Sequence, residues 1–134
     1  MTSPHDLLFI YGTLLPGLRL AHEMQGAACM GEGTVAGVLI DVGRYPGLHS
    51  GAGEVHGEIY RVDEAHLQRL DAVEGVVPGD RSTSQYWRER VEVLSGPHAG
   101  AQVWTYVYNR AASGCPRIVH GDYRRYIREV GRDS

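Results

Sequence analysis

The sequence predicts an α+β domain: an antiparallel or mixed sheet, with closure into a small barrel one outcome, and a few helices packed outside. Three observations carry this. Segments with strand character recur along nearly the whole chain. Helical spacing occurs only twice, once in the middle and once at the end. Eighteen glycines in 134 residues imply a chain that turns often.

Taken in order, residues 7 to 11 (LLFIY) read as a strand buried on both faces. Residues 14 to 24 read as loop, with a helical turn around Arg19 to Met24. The β-branched, glycine-bounded run from 33 to 43 is predicted as a strand. Residues 45 to 53, crowded with proline, serine and glycine, are predicted as loop, and 54 to 62 as the next strand. Asp63 has the chemistry of a helix N-cap, Leu67 and Leu70 share a face, and Gly75 is the natural stop. Residues 86 to 94 alternate, with Trp87, Val91 and Val93 on one side. Residues 101 to 109 are aromatic and β-branched, so the two runs are expected to pair as a hairpin around the turn at 96 to 100. Tyr123, Tyr126, Ile127 and Val130 follow Asp122 at helical spacing. No linker divides the chain, and residues 1 to 134 are expected to form one domain.

Composition excludes several functions. The net charge of −3 points to neither a nucleic-acid nor a membrane partner. All thirteen basic residues are arginine, which rules out a lysine-bearing phosphate loop and Schiff-base chemistry. Cys29 and Cys115 form no ligand or redox spacing. The seven histidines, at 5, 22, 49, 56, 66, 98 and 120, form no metal-binding pattern. No signal or membrane-spanning run is evident. A cytoplasmic protein without metal or cofactor is expected, with its oligomeric state unset by the sequence.

Two stretches suggest chemistry. Asp71 and Glu74 lie three residues apart at the end of the middle helix. The helix dipole disfavours carboxylates there, and partial burial raises the pKa of an acid toward that of a general base. Asp71 is read as structural. The second stretch is Tyr11-Gly12-Thr13-Leu14, where a strand ends abruptly. Backbone N–H groups at such an ending can hold a carboxylate or an oxyanion, and the Tyr11 hydroxyl is a further candidate donor.

Taken with LIDVGRYPGL, VHGEIYRV, LQRLDAVEG, YWRERVEV, VWTYVYN and GDYRRYI, the stretch FIYGTLLPG resembles the γ-glutamylcyclotransferase-like family, which includes AIG2-like and γ-glutamylamine cyclotransferase proteins. The resemblance runs from about residue 7 to residue 127. It implies a small closed mixed β-barrel and a cofactor-independent cyclotransferase. Such an enzyme releases 5-oxoproline and a free amine from a small γ-glutamyl substrate. It implies Glu74 as general acid/base and Tyr11, Gly12, Thr13 and Leu14 as the loop that holds the γ-glutamyl group. Tyr45, in a Tyr-Pro pair, and Tyr86 are implied as lining residues. Family members often carry a basic residue after the loop, where this chain has Leu15 and Pro16; that departure bears on the leaving amine. The alternative expectation is a non-catalytic small-molecule binding or interaction domain on the same fold. A biosynthetic role, removing a γ-glutamyl protecting group, is a third.

Overall fold

The computed structural model describes residues 6 to 131; His5 lies outside them. Five strands are formed: β1 (Asp6–Ile10), β2 (Ala28–Asp41), β3 (Pro46–Val62), β4 (Tyr86–Glu92) and β5 (Gln102–Tyr108). Two α-helices accompany them, α1 (Glu64–Val73) and α2 (Tyr123–Val130), and a short 3-10 turn spans Ala21–Met24. The sheet order is β2-β3-β1-β5-β4. β1 is antiparallel to β3 and parallel to β5, so the sheet is mixed.

The sheet curls into a barrel-like form with β2 and β4 as its edges. Beyond β4 the chain bridges β2: the Leu94 N–H donates to the Thr34 carbonyl at 2.8 Å, and the Thr34 and Ser95 hydroxyls lie 2.7 Å apart. The sheet is therefore barrel-like but not closed, with one isolated bridge in place of a ladder between β2 and β4, whereas the resemblance implied a closed barrel.

Burial in β1 follows from its central place. Phe9 faces a cluster inside the curled sheet with Val35, Val55, Ile59 and Val103. Leu8 and Ile10 point to the other face, where Leu67 and Leu70 of α1 cover them. Strict alternation across a sheet covered on both sides gives the continuous apolar run seen in the sequence. Tyr123 and Ile127 of α2 pack into the inner cluster.

Local signals end the helices as expected. The Asp63 carboxylate accepts from the His66 N–H at 2.8 Å, and that of Asp122 accepts from the Arg125 N–H at 3.2 Å. Gly75 adopts φ +72°, and Val76 N–H bonds to the Asp71 carbonyl at 2.9 Å. This left-handed closure stops α1 at Glu74. The expected hairpin forms, with Tyr86 opposite Tyr108 and Glu92 opposite Gln102.

One segment departs from the reading of the sequence. Residues 46 to 53, predicted as loop, are the first half of β3; Leu48 pairs with Leu39 and Pro46 with Asp41. None of Gly47, Gly51 and Gly53 has a positive φ. They serve close approach instead. A Cβ on Gly47 would lie 2.7 Å from the Tyr108 Cβ, and one on Gly51 2.3 Å from Val38 Cγ2. β2 also begins earlier than predicted, at Ala28, and shifts register between Ala36 and Val38.

Candidate active site

The loop after β1 is tied to itself. The Leu15 N–H donates to the Gly12 carbonyl at 3.0 Å, and the Leu20 N–H to the Thr13 carbonyl at 2.8 Å. No hydrogen bond among the described residues uses the N–H of Gly12, Thr13 or Leu14. Gly12 lies under Pro46, where a Cβ would sit 2.6 Å from the proline Cγ. A side chain at residue 12 would therefore push apart the two segments that wall the site.

Glu74 is brought to this loop by the C-terminal end of α1. It stands at the helix C-cap, with φ −85° and ψ 1°, immediately before the left-handed Gly75. Gly12, Thr13, Leu14 and Glu74 border one open cavity together with Tyr86 and Tyr106. A second hollow adjoins it, sharing Thr13, Glu74 and Tyr86. Glu74 is the single acidic side chain in either lining.

Three tyrosines surround the carboxylate, and each commits its proton elsewhere. Tyr11 OH donates to the Tyr106 carbonyl at 2.6 Å and accepts from the Leu48 N–H at 3.1 Å. Tyr86 OH donates to the Pro46 carbonyl at 2.6 Å. Tyr106 OH donates to Asp71 Oδ1 at 2.7 Å. Among the described residues no donor is recorded on the half-buried Glu74 carboxyl, and burial pushes it up to about 7. Burial, with the nearby Glu74 charge a lesser cause, raises the phenols of Tyr11 and Tyr86. Burial raises that of Tyr106 as well, helped by its bond to Asp71. All three remain neutral at ordinary pH.

Of the residues singled out in the sequence, Tyr11, Gly12, Thr13, Leu14, Glu74 and Tyr86 border the first cavity. Tyr45 borders only the second, where the Gln85 amide donates to its hydroxyl. The Tyr11 hydroxyl differs from expectation: both its bonds go to backbone, so it clasps strands rather than offering a donor to a ligand. Sequence reasoning missed Tyr106, Arg19 and Gln85. Alternation in residues 101 to 109 marks buried positions but does not tell which strand end faces a cavity. Arg19 and Gln85 lie in loops, where periodicity says nothing.

In chemical terms, the site offers a carboxyl titrating near neutrality opposite backbone N–H groups free to bind an anionic oxygen. Comparison with known proteins shows the family. A family model described as "Gamma-glutamyl cyclotransferase, AIG2-like" matches residues 8–125. The γ-glutamylcyclotransferase family protein YtfP of Escherichia coli (strain K12) is 34% identical over 117 residues, covering 87% of this chain and 94% of that protein. The γ-L-glutamyl-butirosin B γ-glutamyl cyclotransferase of Niallia circulans is 40% identical over 107 residues, covering 77% of this chain and 67% of that one. The crystal structure of an AIG2-like protein from Mus musculus superposes with a TM-score of 0.70 at 30% identity, covering 89% and 88% of the two chains. The matched residues take in every side chain that borders the two hollows, and the chain belongs to the γ-glutamyl cyclotransferase, AIG2-like family as a γ-glutamylcyclotransferase-like enzyme.

Proposed function

We propose that this enzyme cleaves a γ-glutamyl amine or γ-glutamyl peptide by intramolecular attack, with Glu74 as general acid/base and the loop from Tyr11 to Leu14 as the γ-glutamyl cradle. The α-amine nitrogen of the substrate bonds to its own γ-carbonyl carbon, and the bond from that carbon to the leaving nitrogen breaks. Glu74 takes a proton from the attacking nitrogen and delivers one to the departing nitrogen. The products are 5-oxoproline and a free amine, and no water is consumed.

Each part has a physical reason. Nucleophile and electrophile belong to one molecule, so the cavity mainly has to hold the substrate folded for ring closure. Charge that builds on the γ-carbonyl oxygen is met by the N–H groups of Gly12, Thr13 and Leu14. Proton transfer by a carboxyl matched to neutral pH typically contributes about 10²- to 10⁴-fold. Tyr86 lines the inner cavity beside the substrate, and Tyr45 the outer one.

The observation that carries this reading is the placement of Glu74 and the N–H-bearing loop around one cavity. A cytoplasmic setting is consistent with two free cysteines, Cys29 and Cys115. No helix among the described residues is long and apolar enough to cross a membrane. The test is a panel of γ-glutamyl amines and γ-glutamyl peptides, with 5-oxoproline and released amine measured together. Equal molar release of both from at least one compound is expected. Glutamate in place of 5-oxoproline would mean hydrolysis and would overturn the proposed ring closure.

A further inference from the structure

Between Glu74 and Tyr86 the chain leaves the helix and enters β4 through a segment, residues 75 to 85, that is knotted by its own side chains. Residues 77 to 83 are exposed, so packing does little to hold them. Ser84 is fully buried, and its hydroxyl ties the segment from within: it accepts from the Val77 N–H at 2.7 Å and donates to the Asp80 carbonyl at 2.9 Å. Half-buried Asn109, just past the end of β5, closes the segment from the other side. Its Nδ2 donates to the Ser84 carbonyl at 3.0 Å and to the Arg81 carbonyl at 2.5 Å, and its N–H donates to the Gln85 carbonyl at 2.9 Å.

The knot bears on the site through its two ends. At one end the Gln85 N–H donates to the Gly75 carbonyl at 3.0 Å, directly after Glu74. At the other, Tyr86 follows Gln85 and donates from its hydroxyl to the Pro46 carbonyl at 2.6 Å, and Pro46 packs against Gly12. A path of bonds and contacts therefore runs from the backbone beside Glu74 to the loop with which it shares the cavity. Ser84 itself borders neither hollow.

Resting on the cyclotransferase reading, we propose that Ser84, supported by Asn109, is a positioning residue for Glu74: its buried hydroxyl closes the segment after α1 and so fixes where the carboxyl stands relative to the amides of Gly12, Thr13 and Leu14. Without the hydroxyl, the Val77 N–H and the Asp80 carbonyl lose that partner, and an unclosed segment lets Gly75 shift. A misplacement on the order of 1 Å at a reacting group costs about 10²-fold in rate. Water admitted to Glu74 also returns its carboxyl toward its ordinary value.

The experiment follows Glu74 itself. Carbon NMR of the glutamate side-chain carboxyls, with Glu74 assigned by the resonance that E74Q lacks, reads its titration in the wild type, S84A and N109A. The groups around it are the same in each: the phenols of Tyr11, Tyr45, Tyr86 and Tyr106, Asp71 on its own helix, and Arg19 at the second hollow. A midpoint below that of the wild type is expected in both variants. On the γ-glutamyl compound of the panel with the highest kcat/KM, kcat is expected to fall about 10- to 100-fold with KM little changed. D122A, which removes the cap of α2, is expected to lower Tm while keeping the wild-type midpoint and kcat. Circular dichroism establishes that each variant is folded; if S84A does not fold, N109A decides. A wild-type midpoint or a wild-type kcat in the folded variants, or an equal fall in D122A, would overturn the positioning role and leave the cyclotransferase reading in place. Absence of 5-oxoproline from the whole panel would overturn that reading, and the role of Ser84 with it.

Discussion

Asp71 and Arg88 form a two-pronged ion pair between α1 and β4, with Arg88 Nε 3.0 Å from Asp71 Oδ1 and Arg88 Nη2 3.1 Å from Oδ2. The same Oδ1 accepts from Tyr106 OH at 2.7 Å. Asp71 thereby ties the last turn of the helix that ends at Glu74 to a tyrosine on the far wall of the cavity. It acts on the site through others, as a positioning residue. Replacing Asp71 by Ala leaves a half-buried guanidinium and a phenol without their acceptor, at a cost of about 1–3 kcal/mol. A lower Tm in thermal unfolding is expected, together with a fall in kcat larger than any change in KM. An unchanged Tm would show that the pair contributes nothing to holding α1 in place.

Glu74→Gln keeps the size of the side chain and removes its ability to shuttle a proton. We expect kcat to fall by about 10²- to 10⁴-fold, while a γ-glutamyl ligand still binds in calorimetry. A variant with wild-type kcat would end the general acid/base assignment.

The pH response should carry two signatures of the same carboxyl. The proposed general-base role needs Glu74 ionised, so on that proposal kcat/KM should rise with pH through a midpoint at about 7. Stability runs the opposite way. Between its ordinary value of 4.5 and the folded value of about 7, the folded chain holds this proton more tightly than the unfolded chain does. Stability from this group is full below the first value, declines as pH rises through the window, and is lost above the second. The loss is on the order of 1–3 kcal/mol. Denaturation at several pH values should find E74Q more stable than wild type above neutrality, with the difference vanishing in acid.

Gly12→Val should abolish binding of a γ-glutamyl ligand. Even a Cβ there would stand 2.6 Å from the Pro46 Cγ, so Gly12→Ala is already expected to destabilise the chain by about 1–3 kcal/mol. Binding by the valine variant at wild-type affinity would contradict the role given to the loop.

The sequence announced those parts of the fold that are written in neighbouring residues. The Asp63 and Asp122 caps and the Gly75 stop are local agreements between side chain and backbone, and each appears where the spacing predicted it. The hairpin of β4 and β5 was legible from alternation on both sides of a short turn. The first half of β3 was not. Glycine and proline mark a turn and a crowded strand with the same letters, and what separates them at Gly47 and Gly51 is Tyr108 and Val38, both distant in sequence. The same limit applies to the site. Glu74 and the loop at residues 11 to 14 came from their motifs and order, whereas Tyr106, Arg19 and Gln85 reach it only through tertiary packing.

The Tyr11 hydroxyl, just past the end of β1, has one bond to β3 and one to β5, the strands on either side of β1. The back of the proposed γ-glutamyl site is therefore riveted to its neighbouring strands before any substrate arrives. Stiffness of that kind acts as a ruler: an acyl chain one methylene longer would carry its carbonyl past the waiting amides, and the wall has little give with which to follow it.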